Sequence, residues 1–358
     1  MKTRLGDLGL LSLLTILLAF GLMMIADVSL VEGVVTFGDQ FYFLKRQLTW
    51  IGLGLILMLV SSFIDYHFWR HWARPIFLLG LSSLVLVFIP GFQISAYGAA
   101  RWLNLGLINF QPVELAKLAS IFYFARLTSQ KERPPLWRQL FLLLFLAGLI
   151  LLEPDFSSTV LLVAVVGVIW FVGGEKILIL AGLGLTALIL GLGLIFSSPY
   201  RRERVKGLFD PFYDPQNKSY HVYQLVLTLG SGGWLGTGLG NSRQKYRYLP
   251  EATTDSIVAL IAEELGFLGV SIFILVFLAL VMRAFWIATH APDQFGQLLA
   301  LGIASLIAFQ GIINLGAIAV LFPLTGMPFP FVSYGGSSLI TLLFAVGILI
   351  NIARKSRR

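Results

Sequence analysis

The stretch LGLLSLLTILLAFGLMMIA, residues Leu8–Ala26, contains 19 residues and no charged side chain. A hydrocarbon core of ~30 Å is crossed by a helix of about 20 predominantly apolar residues. This stretch therefore predicts a membrane-spanning helix. Its apolar run is longer than that of a signal peptide and no small-x-small cleavage site is evident, so we expect a retained anchor.

The composition of the whole chain agrees with a membrane protein. Hydrophobic residues make up 57% and charged residues 12% of the 358 residues, and the mean hydropathy is +0.86. Soluble domains contain roughly a quarter charged residues, so this chain has about half the usual share. The lack of cysteine excludes disulfides, thiolate metal sites and cysteine nucleophiles.

Further apolar segments follow the first one along the chain. The ten predicted spans are Leu8–Ala26, Trp50–Ile64, Ile76–Ile89, Pro112–Ala125, Leu140–Leu152, Thr159–Val172, Ile177–Phe196, Leu265–Met282, Leu298–Leu321 and Ser338–Ile352. We therefore predict an all-α polytopic membrane protein with about ten transmembrane helices, organised as one membrane domain over residues 1–358.

Basic residues between alternate spans predict the orientation. One face holds 14 of the 26 Lys and Arg residues: Lys2, Arg4, Arg70, Arg74, Arg126, Lys131, Arg133, Arg138, Lys176, Arg283, Arg354, Lys355, Arg357 and Arg358. By the positive-inside rule this face is cytoplasmic, which places both termini in the cytoplasm. The same distribution accounts for much of the net charge of +8, so we do not expect nucleic-acid binding.

A loop of nearly 60 residues, about 197–254, separates spans 7 and 8 and is predicted to be extracytoplasmic. Long loops are weakly subject to the positive-inside rule, so the eight basic residues in it need another explanation. Loops of this length are usually functional. The basic and aromatic residues of 243–248 suit binding of phosphate and sugar or, alternatively, anchoring at the membrane interface.

The same loop contains GSGGWLGTGLG, residues 230–240, with six glycines around Trp234. Its Gly-x-Gly fragment follows no strand of a βαβ unit, so a dinucleotide site is not expected. We expect a flexible loop whose backbone approaches a ligand closely.

Two charged residues lie in the first turns of span 4. Pro112 suits the first helical position, and Glu114 lies in the first turn, where the helix dipole favours a carboxylate. Lys117 is three residues further on, so the two side chains share a face and are expected to form an ion pair. The alternative is a purely structural pair with Lys117 reaching the surface.

Three other charged positions have both a functional and a structural interpretation. Arg101, beside Trp102, could be a membrane-interface anchor. Asp155 stands directly before an apolar run, which is typical of a helix N-cap. Asp255 precedes a predicted helix that reaches Met282, about 42 Å away, so its first two turns must protrude or line a polar cavity. Asp255 at the mouth of that cavity could be a catalyst or an N-cap.

The last outer connection, residues 322–338, mixes three prolines with three glycines. Irregular backbone at membrane depth is tolerated only where it is buried in protein or lines a cavity. We therefore expect this connection to lie inside the bundle or beside a polar cavity.

Four motifs together resemble a known family. They are RWLNLGLINFQPVELAKLA (101–119), EPDFSST (153–159), YLPEATTDSIVALIAEELGFLG (248–269) and TGMPFPFVSYGGSSL (325–339). In this order they are similar to the SEDS proteins (shape, elongation, division and sporulation) of bacterial cell-wall synthesis, typified by RodA and FtsW. The resemblance covers essentially the whole chain, and the form of residues 325–331 favours the RodA branch.

The resemblance implies a peptidoglycan glycosyltransferase of the bacterial inner membrane, active in cell elongation and shape. Such proteins polymerise lipid II into β-1,4 glycan strands and release undecaprenyl diphosphate. The family's essential acidic residue corresponds to Asp255, as the base that takes the acceptor proton. The implied substrate-binding residues are Arg46, Arg101, Gln111, Glu114, Lys117, Asp155, Arg243, Lys245, Arg247, Ser333 and Tyr334. A divalent cation is compatible with this chemistry, and no protein metal site is predicted.

The resemblance also implies a class B penicillin-binding protein and other elongation-complex proteins as partners. The lipid-facing surfaces of spans 8 and 9 are the expected dock. Span 9 carries small residues that allow close approach of another helix or, alternatively, serve packing within the bundle: Gly302, Ala304, Ser305, Ala308 and Gly311.

Two other functions remain open from the sequence. A transporter that flips lipid II would place Glu114, Lys117, Glu263 and Glu264 along a polar pathway, although the inverted repeat of many transporters is not evident. A non-catalytic scaffold would make Asp255 dispensable.

Overall fold

The computed structural model describes residues 7–91, 93–96, 99–104, 106, 109–197, 199–246 and 248–356, and helices dominate them. The helices are α1 (Leu8–Phe37), α2 (Tyr42–Phe63), α3 (Tyr66–Leu86), α4 (Pro112–Thr128), α5 (Leu136–Leu152), α6 (Phe156–Val172), α7 (Ile177–Ser197), α8 (Pro199–Phe209), α9 (Tyr220–Gly232), α10 (Ile257–Thr289), α11 (Gln294–Ile318) and α12 (Gly336–Lys355). The ten predicted spans coincide with α1–α7 and α10–α12. The predicted class, a helical polytopic membrane protein, is confirmed.

Length and hydropathy separate these helices into groups. Five of those in the described part of the chain, α1, α2, α10, α11 and α12, are long and apolar enough to cross a membrane. Shorter apolar segments of 17 residues or fewer form α5, α6 and the Ile177–Gly193 part of α7. Short spans of this kind must use their flanking residues to reach both interfaces.

Several helices extend beyond the predicted spans. The first span was expected to end at Ala26, but α1 continues to Phe37, and α2 and α3 begin well before Trp50 and Ile76. Hydropathy marks only the hydrocarbon-embedded part of a helix, whereas its backbone hydrogen bonds continue through the polar headgroup layer. As a consequence Asp27 and Glu32 lie in α1 and not in a loop.

Two connections predicted as loops contain secondary structure. A small antiparallel sheet, in the order β1 (Gln93–Ala96), β2 (Ala99–Asn104) and β3 (Asn109–Phe110), joins α3 to α4. The long loop 197–254 contains α8 and α9. These elements are too short to give a transmembrane hydropathy signal, so hydropathy alone does not reveal them.

The small residues of α11 face the interior of the bundle. A Cβ added at Gly302 would lie 2.6 Å from a methyl of Ile121, and one at Gly311 would lie 2.4 Å from the ring of Phe277. Ala304 is fully buried and Ala308 is 7% exposed. These residues therefore serve packing within the bundle, and the alternative of a partner dock on them is wrong.

Residues assigned to one membrane face contact each other. On the predicted cytoplasmic face, Arg283 Nε lies 2.7 Å from Asp7 Oδ2, and the side chain of Asn351 accepts a hydrogen bond of 3.0 Å from Tyr66 N. On the opposite face, Gln111 N donates to Ser337 Oγ at 3.1 Å. The alternation of spans that the sequence predicts is thus consistent with the packing.

Helix α10 is interrupted, whereas a continuous helix was expected. Gly266 has φ 67° and ψ −172°, outside the helical region. After this break, Phe267 N and Leu268 N find acceptors outside the helix, on Gly233 O at 2.9 Å and Trp234 O at 3.2 Å. Backbone groups left unpaired at membrane depth cost several kcal/mol each, so a broken span requires such external partners.

The carbonyl groups before the break are also satisfied from outside the helix. Thr237 N donates to Glu263 O at 3.0 Å, and Gly238 N donates to Glu264 O at 3.0 Å. Residues 232–240, here called the glycine segment, therefore supply the backbone hydrogen-bond partners that α10 lacks before and after its break at Gly266. The expected flexibility is corrected, because this backbone is fixed by hydrogen bonds to α10 on both sides of its break. The expected close approach to a ligand stays a prediction.

Gly236 of the glycine segment lies in close contact with Gly266 of α10, so substitution of either glycine should disturb the packing. Gly236 has φ +81°, and a Cβ on it would lie 2.1 Å from Glu264 O. We expect Gly236→Ala to lower the free energy of unfolding by more than the ~1–2 kcal/mol cost of left-handed backbone, because the overlap adds to it. Thermal unfolding in detergent measures the change.

Gly182→Ala is the matched control, since Gly182 lies within α7 and a Cβ there meets nothing within 4 Å. It should be neutral or stabilise by up to ~1 kcal/mol through helix propensity. A Gly236→Ala protein that unfolds at the wild-type temperature would contradict the proposed role of the glycine segment.

The predicted ion pair at the start of α4 forms and is buried. Lys117 Nζ lies 2.8 Å from Glu114 Oε1, with side chains 2% and 5% exposed. Lys117 therefore does not reach the surface. Removing one partner of a buried pair leaves an uncompensated charge in low dielectric and costs about 3–5 kcal/mol.

This pair gives a second prediction. Glu114→Gln and Lys117→Met should each lower the free energy of unfolding by about 3–5 kcal/mol, and the double variant should recover most of the loss. The exposed pair Lys45–Asp39, at 2.7 Å, is the control, and Lys45→Gln should change stability by less than about 1 kcal/mol. Additive losses in the double variant, seen by chemical unfolding, would show that the pair is not coupled.

Candidate functional site

Asp255 and Asp155 occupy similar sequence positions but different structural ones. Asp155 is the N-cap of α6: its carboxylate accepts hydrogen bonds from Ser158 N at 3.0 Å and from Ser158 Oγ at 2.7 Å. The N-cap of α10 is Ser256, so Asp255 lies one residue outside the cap, in a half-buried turn. The capping interpretation therefore applies to Asp155, whereas in α10 the N-cap position belongs to Ser256 and not to Asp255.

The turn that carries Asp255 packs against residues 319–335, here called the proline–glycine connection. Tyr334 N donates to Thr253 O at 3.0 Å. A Cβ added at Gly326, where φ is +65°, would lie 3.4 Å from Asp255 Oδ2. A larger side chain at 326 would therefore be both strained and in contact with the carboxylate. From Met327 to Ser333 the connection is mostly buried in the bundle, as its irregular backbone predicts, whereas Leu321 and Phe322 are exposed.

Other elements attach to the same connection. Gln47 of α2 donates through Nε2 to Ser333 O at 3.4 Å. The Ser333 hydroxyl accepts a hydrogen bond of 2.8 Å from Phe329 N, which closes a tight turn. Ser157 of α6 donates to Thr325 O at 3.2 Å. Ser333 is buried and structural here, and it lies one residue from Tyr334.

Arg101 links the small sheet to the turn between α5 and α6. Its Nε donates to Glu153 O at 2.9 Å, and its Nη2 donates to Pro154 O at 2.7 Å. The guanidinium therefore holds backbone carbonyls and is more than an interface anchor. Through Ser157 this turn contacts the proline–glycine connection.

Glu153 is an ionisable group that the sequence analysis did not select. It is 1% exposed, and neither carboxylate oxygen has a hydrogen-bond partner among the described residues. Burial, together with the charge of Asp155, raises its pKa to about 8 against the opposing effect of Arg101. Glu153 is therefore largely protonated at neutral pH.

Arg46 and Tyr334 form a second group at this face. Arg46 is exposed in the first turns of α2, and its guanidinium carbon lies 5.1 Å from the centroid of the Tyr42 ring. Burial raises the pKa of the Tyr334 phenol, and the nearby Arg46 side chain opposes this effect. The Tyr334 hydroxyl is therefore protonated at neutral pH, beside an exposed cation.

The candidate residues of α4 lie next to the start of α12. Gln111 is the N-cap residue of α4 and makes no side-chain cap. Its backbone N–H donates to Ser337 in the first turn of α12. The Glu114–Lys117 pair follows one turn deeper, buried beneath this junction.

The basic residues of the long loop differ in their availability. Lys245 Nζ contacts Asp27 Oδ1 at 2.8 Å, Gly240 O at 2.7 Å and Glu264 Oε1 at 3.6 Å, and its side chain is 5% exposed. Its charge is thus neutralised within the fold. Arg247 lies outside the described residues.

Arg243 is exposed at a cavity of about 370 Å³. The cavity is also lined by Ser231, Thr237, Asn241 and Glu263. The backbone N–H of Arg243 donates to the Glu263 carboxylate at 3.2 Å, which fixes the Arg243 backbone at the cavity wall.

Ser242 and Lys245 have the Ser-x-x-Lys spacing that transpeptidases use. The Ser242 hydroxyl donates to the Glu263 carboxylate and is 1% exposed. Because Lys245 is paired with acidic groups, neither residue is available as a nucleophile or base. The stretch is therefore a structural attachment of the loop to α10.

Several residues near Asp255 were missed from the sequence. Gln310 and Asn314 are buried carboxamides that contact the proline–glycine connection. His221 contacts Ser256 Oγ through Nε2 at 3.0 Å, and Glu32 accepts from Thr253 Oγ1 at 3.3 Å. Two amides within an otherwise apolar helix were a usable signal for α11, whereas nothing local distinguishes Glu32 or His221.

Among the described residues no group of three or more His, Cys, Asp or Glu side chains is arranged to hold a metal ion. A divalent cation would therefore need ligands from the substrate as well as from the protein, and it stays a prediction.

Comparisons with known proteins agree with this arrangement. The chain is 42% identical to a protein of Trichlorobacter lovleyi named "Probable peptidoglycan glycosyltransferase FtsW", over 97% of this chain and 93% of that one. It is 40% identical to stage V sporulation protein E of Bacillus subtilis, over 98% of both chains.

Two solved structures share the fold. One comes from work on the "structural coordination of polymerization and crosslinking by a peptidoglycan synthase complex", with a TM-score of 0.81, 29% identity and 98% coverage of both chains. The other is RodA, a rod shape determining protein of Thermus thermophilus, with a TM-score of 0.74, 27% identity and full coverage of both chains.

These identities bear on the branch that the motifs favoured. Relatives with 40–42% identity carry the names FtsW and stage V sporulation protein E, whereas the RodA structure is 27% identical. The preference for the RodA branch is therefore less supported than the family. The family model that covers FtsW, RodA and SpoVE, described as "Cell cycle protein", matches residues 8–358, and the chain belongs to this family.

Proposed function

We propose that this protein is a peptidoglycan glycosyltransferase that polymerises lipid II. The observation that carries the proposal is the position of Asp255. Its half-buried carboxylate lies one residue before the N-cap of α10 and next to Gly326 of the proline–glycine connection. The names of the relatives support the same activity. The whole chain acts as one membrane domain.

The proposed reaction needs one base and one stabilised leaving group. The Asp255 carboxylate accepts the proton of the acceptor's GlcNAc 4-hydroxyl as that oxygen attacks the anomeric carbon of the donor's MurNAc. The bond from this carbon to the diphosphate breaks, and undecaprenyl diphosphate leaves with the electron pair. The α-linked donor thus becomes a β-1,4 linkage.

Cations must stabilise the charge that develops on the diphosphate, often the largest catalytic contribution. Arg46 and Arg243 are the candidates that best meet this need because both are exposed. Arg101 is half-buried and already holds two carbonyls. Lys117 and Lys245 lie in buried ion pairs and contribute through the local field.

The lipid-linked substrate fits a multi-pass membrane protein. We propose that the chain lies in the bacterial inner membrane with both termini in the cytoplasm. Asp255, the proline–glycine connection and the long loop then share the outer face, where the glycan strand is made. The charge distribution in the sequence and the contacts within each face support this orientation.

The catalytic assignment gives a third prediction. Asp255→Asn should lower the rate of lipid II polymerisation by roughly 10²–10⁴-fold, since a general base typically contributes that much. The carboxamide keeps the side-chain shape, so thermal stability should be unchanged. Glycan strands are measured by gel after incubating purified protein with lipid II.

Asp210→Asn is the matched control, because Asp210 is an exposed carboxylate just beyond α8. It should polymerise at the wild-type rate. An Asp255→Asn protein that still extends strands at near wild-type rate would overturn the catalytic assignment.

We also infer a single-span partner that crosslinks the strands, a class B penicillin-binding protein. The relative solved in work on polymerization and crosslinking supports this proposal. The sequence predicted that the partner binds the lipid-facing surfaces of spans 8 and 9, which are α10 and α11. Because the small residues of α11 are buried, we place the dock on the exposed apolar face of α10. On that face Ile272 and Leu275 are each 63% exposed.

A fourth prediction tests this dock. Ile272→Trp with Leu275→Trp should reduce recovery of the partner when the protein is purified from membranes, because bulky rings prevent close helix approach. Leu188→Trp on α7, where Leu188 is 58% exposed, should leave recovery unchanged. Equal recovery from both variants places the dock elsewhere, and the absence of any such partner contradicts the proposal.

A further inference from the structure

Two carboxamide side chains lie on one face of α11. Gln310 and Asn314 are four residues apart, so they are neighbours on the helix surface. They are 0% and 2% exposed, within a helix most of whose residues are buried. Polar groups in such a position need a specific reason, because apolar residues of similar shape would avoid their desolvation.

Asn314 joins the Asp255 turn to the proline–glycine connection. Its Nδ2 donates to Asp255 O at 2.9 Å and to Met327 O at 2.7 Å. Both N–H groups of one amide are therefore used, one on the residue that carries the carboxylate and one beside Gly326. No other side chain in the described part of the chain is seen to bridge these two backbone carbonyls.

Gln310 makes a parallel contact one turn away. Its Nε2 donates to Pro328 O at 3.0 Å and to Ser338 Oγ at 3.2 Å. It thus holds the same connection without touching the Asp255 turn. This difference separates the role of Asn314 from general support of the connection.

Neither amide is explained by stability alone. The Asn314 Oδ1 and Gln310 Oε1 atoms are buried and have no partner among the described residues. A buried acceptor without a partner is destabilising, and it offsets part of what the N–H contacts of the same amide contribute. What the side chains supply in return is the set of N–H contacts to backbone carbonyls.

The location of Asp255 gives such a contact a direct effect on the carboxylate. Asp255 lies two residues before Ile257, the first residue of α10, in the turn that leads into the helix. Displacement of a catalytic group by about 1 Å can cost roughly 10²-fold in rate. The carbonyl and the carboxylate belong to the same residue. A side chain that fixes the Asp255 carbonyl therefore also restrains the position of the Asp255 carboxylate.

We propose that Asn314 is a positioning residue that sets the Asp255 carboxylate against the proline–glycine connection. The inference rests on the proposed function, because it assumes that Asp255 is the base. Asn314 acts through the backbone of Asp255 and Met327. It accelerates the transfer by holding the base, and it does not bind the substrate.

The test compares Asn314→Leu with Gln310→Leu, each measured for lipid II polymerisation and thermal unfolding. Both variants lose two N–H contacts to the same region, so both should lower the unfolding temperature. Only Asn314→Leu should lower kcat by about 10–100-fold with KM changed less than about threefold, because the loss is in the geometry of the base. Asn314→Ser keeps a single donor, and we expect it to fold and to show an intermediate kcat.

Asp255→Asn is measured in parallel to separate the two claims. If it is inactive while Asn314→Leu or Asn314→Ser keeps the wild-type kcat, the positioning role is overturned and the catalytic assignment stands. An equal fall of kcat in Gln310→Leu also overturns it, since Asn314 would then only support the connection. If Asp255→Asn is active, both claims fail.

Discussion

The interruption of α10 at Gly266 is the constraint on which the rest of the structure depends. A break in a helix leaves N–H and C=O groups without their helical partners, and such groups are costly wherever lipid or protein shields them from water. The glycine segment supplies both sets of partners, from Gly233 and Trp234 on one side and from Thr237 and Gly238 on the other. Only glycine at 236 and 266 permits the approach, because a Cβ at either would overlap backbone atoms.

This arrangement fixes the part of α10 that precedes the break. The short helix from Ile257 to Leu265 is buried almost throughout, and the turn with Asp255 stands at its start. Glu263 and Glu264 pair with the long loop through Ser242 and Lys245. The acidic groups that suggested a transport pathway in the sequence are thus attachments that hold the loop to α10.

The sequence predicted the helical membrane fold well because hydropathy reports directly on burial in lipid. It predicted the ends of helices poorly, as α1 and α3 show, because polar residues in the headgroup layer still form helix. The glycine segment was interpreted as a ligand-binding loop. Its hydrogen-bond partner Glu263 lies more than 20 residues further along the chain, so the local sequence gives no sign of this contact. Asp155 and Asp255 looked alike as residues before apolar runs, and only the position of the cap separates them.

The central claim is that this chain itself joins lipid II molecules into glycan strands. The most direct measurement incubates the purified protein with lipid II in detergent and digests the product with a muramidase. The account predicts long strands that the muramidase cleaves to disaccharide units, with undecaprenyl diphosphate released in proportion. The account would be contradicted if the protein, reconstituted into vesicles, moved labelled lipid II across the bilayer and formed no strands.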